Sequence, residues 1–162
     1  MKKVVVADTG PIISLAMIHQ VELIEKILGE LYISDTVWKE LTQYKNKVPD
    51  KITLQYLKKR VVTLSSPGIK EKSIDIGELS SIALYEKIQA DYLLIDDQKV
   101  RKVAENANIN CIGSIGLLVS AKKAKLVQEI RPFFDVWLQS KRYFSRDLLN
   151  KILHDLGEES LA

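Results

Sequence analysis

Acidic residues that directly follow short apolar runs are the groups in this sequence best suited to chemistry. Asp8 follows the β-branched run at residues 3–7, and Asp96 and Asp97 follow a second apolar run at residues 92–95. Runs of this length and composition predict buried strands. In open parallel sheets, ligands bind beyond the carboxyl ends of the strands. These carboxylates are therefore candidates for a binding or catalytic site.

Two glutamates on predicted helices share a face with apolar residues. Glu78 lies one turn before Ile82, and Glu40 shares a face with Val37. Residues three and four apart lie on one side of a helix, so both carboxylates are expected to point toward the fold. Acids that converge in this way repel one another unless divalent cations bind between them, and Mg²⁺ or Mn²⁺ suits oxygen ligands.

Each acid also has an ordinary structural explanation. Asp8 can serve as the N-cap of a helix that opens at Pro11, since proline is favoured in the first turn. Glu78 can interact favourably with the N-terminus of its own helix. Glu40, beside Lys39, can be a solvated surface residue. The sequence alone leaves these alternatives open.

Other kinds of site lack their residues. The only histidines are His19 and His154, and neither follows a predicted strand. The single Cys111 excludes a disulfide framework and a cysteine zinc site. A glycine-rich phosphate loop is absent, and no apolar run is long enough to span a membrane. We expect a cytoplasmic protein without a signal peptide and without a membrane association.

Charge is unevenly distributed along the 162 residues, although the net charge is only +3. Residues 39–60 and 121–151 are basic, whereas residues 70–97 contain seven acids and three lysines. An acidic centre between basic flanks is typical of a cation site on a surface that attracts a polyanion. Solvated helix faces give the same pattern and remain the alternative. The candidate contacts to such a polyanion are Lys45, Lys47, Arg101, Lys102, Lys122 and Lys123.

Strand and helix patterns alternate along most of the chain. Strands are predicted at residues 3–7, 31–33, 61–64, 92–95 and 110–112, and after residue 125 only helices are predicted. Ser34 and Asp35 are candidate N-caps for the helix that carries Glu40. Alternation predicts a parallel sheet covered on both faces. We therefore expect a single domain over residues 1–162, a three-layer α/β/α fold with about five mainly parallel strands and a helical extension from about residue 127.

Four segments of the sequence resemble a PIN domain, and most closely a prokaryotic PIN-like family related to the VapC-type toxin ribonucleases. They are V-V-A-D-T-G-P-I-I at residues 5–13, Y-I-S-D-T-V-W-K-E-L at 32–41, G-E-L-S-S-I-A-L at 77–84 and A-D-Y-L-L-I-D-D at 90–97. The resemblance continues through residues 101–105 and 113–118. It extends over nearly the full chain.

The resemblance implies a metal-dependent endoribonuclease in which water attacks an RNA phosphodiester. The implied catalytic acids are Asp8, Glu40, Glu78, Asp96 and Asp97, with Asp8, Glu78 and Asp96 as the ligands of Mg²⁺ or Mn²⁺. Spacing from Glu78 favours Asp96 over Asp97. Thr9 matches a hydroxyl residue that can orient a carboxylate or a metal-bound water. Two departures are Glu78, where many PIN toxins have aspartate, and Gly10, where serine or asparagine is frequent.

By the same resemblance, we expect RNA as substrate, a small antitoxin protein as partner and a homodimer. The competing interpretation is a PIN-like module that binds RNA or protein without cleaving. A phosphoacceptor receiver domain shares the doubly wound plan, but it needs paired acids after its first strand and a lysine after its fifth. Here Asp8 stands alone and residues 111–114 contain no lysine.

Overall fold

The structure, a computed structural model, describes residues 2–43, 48–64, 76–140, 142 and 144–162, with the backbone alone for residues 76–79. The chain forms two compact units, Met1–Leu117 and Leu118–Ala162. None of the helices in the described part of the chain has the length and apolar character needed to cross a membrane.

The first unit alternates strands and helices. Its strands are β1 (Val4–Ala7), β2 (Glu30–Ser34), β3 (Val61–Val62), β4 (Tyr92–Leu94) and β5 (Cys111–Ile112). Its helices are α1 (Thr9–Met17), α2 (Leu23–Ile27), α3 (Asp35–Gln43), α4 (Lys51–Lys58), α5 (Ile76–Ile88) and α6 (Gln98–Asn106). Helix α7 (Ser114–Lys123) begins in the first unit and ends in the second.

The five strands form one sheet in the order β3-β2-β1-β4-β5, and every neighbouring pair is parallel. Val5, Val6 and Ala7 of the middle strand are all fully buried. Because successive side chains of a strand point to opposite faces, the sheet is covered on both sides at β1. The predicted three-layer α/β fold with about five parallel strands is confirmed.

Helix starts in this unit follow from short polar side chains. Ser34 Oγ accepts a hydrogen bond from the Val37 amide at 3.1 Å, which caps α3 as the sequence predicted. Asp50 caps α4 in the same way, through the Thr53 amide at 2.8 Å. Caps of this kind fix where each helix begins relative to the strand or loop before it.

The second unit contains α8 (Arg131–Gln139) and α9 (Arg146–Asp155), together with the last turns of α7. The Phe134 ring stacks on Trp137 with centroids 5.7 Å apart, and Phe144 lies tilted against Trp137 at 4.7 Å. The Glu158 carboxylate accepts hydrogen bonds from the Ile130 and Arg131 amides and from Lys122 Nζ, the last at 2.6 Å.

The predicted start of a helix near residue 127 is wrong, because α8 begins at Arg131. The side chain of Glu158 supplies the cap at that point, since it occupies the amides that open the helix. A cap contributed from 27 positions along the chain leaves no local pattern in residues 127–131.

Candidate active site

Asp8 and Asp96 lie at the carboxyl ends of neighbouring strands. Ala7 of β1 is paired with Leu94 of β4, and the Asp8 amide continues the ladder by donating to the Leu94 carbonyl at 3.0 Å. The strand order reverses between β1 and β4, so this is the switch point of the sheet. Open parallel sheets bind ligands in the crevice at this point. The structure therefore brings these two predicted acids together at the edge where a ligand is expected.

The Asp8 carboxylate is buried, with 6% of the residue exposed. Asp8 occupies the N-cap position of α1 by its backbone, but its side chain makes no capping hydrogen bond. Instead, Oδ1 accepts a hydrogen bond from Ser81 Oγ of α5 at 3.0 Å. The alternative in which the Asp8 side chain caps α1 is therefore wrong.

Asp96 and Asp97 differ in what their carboxylates do. Asp97 is exposed and caps α6, because its Oδ1 accepts from the Lys99 and Val100 amides at 2.9 and 3.2 Å. Asp96 is half-buried, and Ser114 binds both of its oxygens, through the amide at 2.7 Å and the hydroxyl at 2.6 Å. Asp96 thus holds the first turn of α7 at the sheet edge beside Asp8.

Glu40 is tied to the first residue of α1. Thr9 Oγ1 donates to Glu40 Oε2 at 2.5 Å, and Glu40 is half-buried on α3 beside the buried Leu41. A freely solvated surface glutamate would have no such partner within the fold. Since Thr9 directly follows Asp8, this hydrogen bond brings the third acid to the same edge.

Glu78 is placed by its backbone alone. It lies in α5, three residues before Ser81, whose hydroxyl reaches Asp8. Residues three apart on a helix are neighbours on one face. The side chain of Glu78 lies outside the described part of the structure, so its role as a ligand stays a prediction.

Buried serines are the site residues that the sequence reasoning missed. Ser80 Oγ lies 2.6 Å from Ser34 Oγ at the end of β2, next to the contact of Ser81 with Asp8. Ser114 performs the corresponding task for Asp96. Two consecutive serines directly before the apolar residues 82–84 were the available signal, because buried hydroxyl groups need hydrogen-bond partners.

The predicted cationic contacts are in different surroundings. Arg101 Nη1 lies 3.5 Å from the point where a Cβ would stand on Gly113, and Asp96 Oδ1 lies 3.0 Å from that point. Arg101 also donates to Glu105 at 3.0 Å, whereas Lys102 is exposed. The guanidinium group and the Asp96 carboxylate therefore both border Gly113.

Two of the remaining predicted cations belong to the second unit. Lys122 is engaged by Glu158 within the second unit, whereas Lys123 is exposed. Lys45 and Lys47 lie outside the described residues.

The oxygen donors at this edge suit Mg²⁺ or Mn²⁺, which prefer carboxylates and water. Asp8 and Asp96 contribute two carboxylates from adjacent strand ends. No cluster of three acids, histidines or cysteines that could hold a metal occurs among the described side chains, which do not include that of Glu78. The donor chemistry fits a divalent cation, with Glu78 positioned on the helix that contacts Asp8.

Comparison with known proteins agrees with this geometry. The sequence matches the model of the DUF3368 family, described as a PIN domain, over residues 4–158. A solved structure with a similar fold is that of a PilT N-terminus domain protein from the hyperthermophilic archaeon Sulfolobus solfataricus P2, with a TM-score of 0.57. The two sequences are 17% identical, and the similarity covers 73% of this chain and 92% of the archaeal chain. At that identity the likeness shows the fold alone.

No curated protein matches the sequence. The family match nevertheless spans nearly the whole chain and includes all the acids discussed above, so the predicted resemblance is confirmed. PIN domains are generally nucleases. The chain belongs to the DUF3368 family of PIN domains.

Proposed function

We propose that this protein is a divalent-metal-dependent endoribonuclease that hydrolyses RNA phosphodiesters. The observation that carries the proposal is the placement of Asp8 and Asp96 on neighbouring strand ends at the switch point of the sheet. Asp8, Asp96 and Glu78 are the proposed ligands of Mg²⁺ or Mn²⁺, and Glu40 is the fourth acid of the site.

Such cations, when bound, act as Lewis acids, neutralise the charge of the phosphate and lower the pKa of a water molecule that they bind. Residues of the chain fix the orientation of the acids that would bind these cations. Ser114 holds both oxygens of Asp96, and Thr9 holds the Glu40 carboxylate. The guanidinium of Arg101, which borders Gly113 together with Asp96, can donate hydrogen bonds to the phosphate oxygens of the substrate.

The biological role that we propose is that of the toxin in a toxin–antitoxin pair, acting as a homodimer and neutralised by a small antitoxin protein. This role depends on the family resemblance. Expression of the wild-type protein should arrest growth, and an Asp8→Asn variant should not. Harmless expression of an RNA-cleaving wild-type protein would contradict the toxin role and leave the nuclease proposal intact. Sedimentation that finds only monomer over a range of micromolar concentrations would contradict the homodimer.

The competing interpretation is a PIN domain that retains RNA or a protein without cutting. A fluorescent RNA incubated with the protein and Mg²⁺ or Mn²⁺ distinguishes the two. Cleavage that stops on chelation supports the nuclease, whereas retention of intact RNA supports the binding module.

Asp8→Asn is the decisive variant, and Asp97→Asn is its matched control. Removing the charge of Asp8 should reduce cleavage at least about 100-fold, because a metal ligand contributes several kcal/mol to transition-state stabilisation. Metal-free thermal stability should stay similar or rise, since repulsion among carboxylates is relieved. Asparagine caps helices nearly as well as aspartate, so Asp97→Asn should keep both cleavage and stability. Cleavage by Asp8→Asn at the wild-type rate would contradict the assignment of Asp8 as a metal ligand.

A further inference from the structure

Helix α5 contacts two neighbouring strand ends through two consecutive serines. Ser81 is fully buried and donates to Asp8 Oδ1 at the end of β1. Ser80 is 2% exposed and shares a 2.6 Å hydrogen bond with Ser34 at the end of β2. The two hydroxyl groups are alike in burial and in position on the helix. They differ in what they touch, since one reaches an acid of the proposed site and the other a serine that caps α3.

We propose that Ser81 is a positioning residue for metal binding, which acts by fixing the orientation of the Asp8 carboxylate. The proposal rests on the proposed function, because it assigns to Asp8 the role of ligand. Ser80 is then the structural counterpart, whose hydroxyl bonds to Ser34 and seats the same helix on the sheet.

The chemistry of the contact supports this role. An ionised carboxylate only accepts hydrogen bonds and offers about four lone-pair positions, so the bond from the Ser81 hydroxyl occupies only one of them. The hydroxyl is a neutral donor, and it can therefore orient the carboxylate without neutralising the charge that attracts Mg²⁺ or Mn²⁺. A lysine or arginine in the same place would compete with the metal for that charge.

Ser81 lies on a rigid element of the fold, so its hydrogen bond restricts the orientation of the Asp8 carboxylate. It lies on a helix that packs against β1, β2 and β4, and its neighbour Ile82 is fully buried. The Asp8 backbone is fixed by the strand ladder through its bond to the Leu94 carbonyl. The hydrogen bond from Ser81 therefore joins two rigid elements. In metal sites, removal of a residue that hydrogen-bonds to a metal ligand typically lowers the metal affinity 10- to 100-fold.

The experiment measures Mn²⁺ binding without RNA, by the electron paramagnetic resonance signal of free Mn²⁺, in the full-length protein. Ser81→Ala should weaken Mn²⁺ binding about tenfold or more. Ser80→Ala should keep the affinity within about twofold of wild type. Both variants lose a buried hydroxyl contact, so thermal melting without metal should fall in both. A fall in melting temperature alone thus says nothing about positioning, and the metal affinity separates the two serines.

Ser81→Cys provides a second variant if the alanine variant folds poorly. A thiol is somewhat larger than the hydroxyl and is only a weak donor. It should therefore weaken Mn²⁺ binding in the same direction. In an Asp8→Asn background, adding Ser81→Ala should change Mn²⁺ affinity no further, because the carboxylate through which Ser81 acts is already gone.

The outcomes separate this inference from the proposed function. If wild type binds Mn²⁺ and cleaves RNA while Ser81→Ala binds Mn²⁺ as wild type does, the positioning role is overturned and the nuclease stands. Equal losses of affinity in Ser81→Ala and Ser80→Ala overturn it as well, since they would reflect a general loosening of α5. A wild-type protein that neither binds Mn²⁺ nor cleaves RNA would overturn the proposed function, and the inference with it.

Discussion

Thr9 Oγ1 donates to Glu40 Oε2 at 2.5 Å, and this contact joins the first residue of α1 to α3, 31 positions further along the chain. Orienting a carboxylate is one of the two tasks expected for Thr9, and this hydrogen bond is compatible with it. Because Thr9 follows Asp8 directly, its backbone is fixed by the end of the middle strand. Glu40 is consequently held at the sheet edge by a residue adjacent to the proposed metal ligand.

Thr9→Val tests this contact, because valine keeps the shape of threonine and removes the donor. A hydrogen bond to a charged group contributes about 1.5–3 kcal/mol. Half-burial and solvent screening reduce that, so the free energy of unfolding should fall by about 1 kcal/mol. Cleavage should decrease in Thr9→Val and remain near wild type in Thr9→Ser, which keeps the hydroxyl. Urea unfolding and an RNA cleavage assay measure the two effects.

Combining Thr9→Val with Glu40→Gln shows whether the pair acts as a unit. If it does, the double variant should lose less stability and activity than the two single losses added together, with a coupling energy of about 0.5 kcal/mol or more. Strict additivity would contradict a direct functional link between the two side chains.

Gly113→Ala should disturb Asp96 without straining the backbone. A Cβ on Gly113 would stand 3.0 Å from Asp96 Oδ1, which is too close. The Ile95 carbonyl oxygen, 3.6 Å from the same point, limits how far the new methyl group can move away from the carboxylate. The carboxylate must then shift by a few tenths of an ångström against its bonds to Ser114. Misplacement of a catalytic group by 1 Å can cost about 100-fold in rate, so this smaller shift should reduce cleavage about tenfold.

Gly10→Ala is the matched control for that variant. Gly10 also lies beside the site, but a Cβ there would meet nothing within 4 Å. Alanine in the first turn of α1 should leave cleavage unchanged and stabilise the fold by up to about 1 kcal/mol. Equal loss of activity in the two alanine variants would mean that the Gly113 effect does not act through Asp96.

The positions of the acids could be predicted from sequence because they follow local patterns. A β-branched run that ends in Asp8, and another that ends in Asp96, is enough to place both at strand ends. The contacts that orient them could not be predicted in the same way. Ser81 and Asp8 are 73 positions apart, and no periodicity in either segment records their hydrogen bond.

The choice between Asp96 and Asp97 shows the same limit. Both follow the same strand, and sequence spacing gave only a preference for Asp96. In the structure, Asp97 caps its own helix by a local bond, whereas Asp96 reaches Ser114, 18 positions away. Local propensity explains the first contact, and only the tertiary fold explains the second.

Stability should depend on pH through Glu158. Burial raises the pKa of this carboxyl, but hydrogen bonds from Lys122 and the Arg131 and Ile130 amides outweigh burial and hold the pKa below its ordinary value of 4.5. A carboxyl whose pKa is lowered by folding stabilises the folded state at pH values above its unfolded pKa. That contribution is lost as the pH falls through the lower folded pKa.

Glu158→Gln isolates this contribution. At neutral pH the variant should be about 2 kcal/mol less stable, because a charge-assisted bond to Lys122 and an amide cap are lost together. As the pH falls below the ordinary carboxyl pKa of 4.5 the difference from wild type should shrink progressively, since the wild-type carboxyl then takes up a proton and loses this contribution. Glu25, whose pKa is also lowered despite the opposing effect of burial, keeps its acid sensitivity in both proteins. Urea unfolding from pH 3 to 7 tests this, and a constant difference would contradict it.

RNA binding should depend on salt through the exposed lysines of α6. Lys99 and Lys102 are three residues apart on the helix that begins beside Asp96 and Asp97, so they are neighbours on its surface. Each lysine that neutralises a phosphate of a single strand changes the slope of log affinity against log salt by about −0.7. Lys99→Glu combined with Lys102→Glu should therefore make the slope shallower by about 1.4 and weaken binding at low salt.

Lys2→Glu with Lys3→Glu makes the same change of charge at the amino end of β1, the opposite edge of the sheet from Asp8, and should leave the slope nearly unchanged. Equal changes in the two double variants would show that net charge alone attracts the RNA, and α6 would then not be part of its path to the acids.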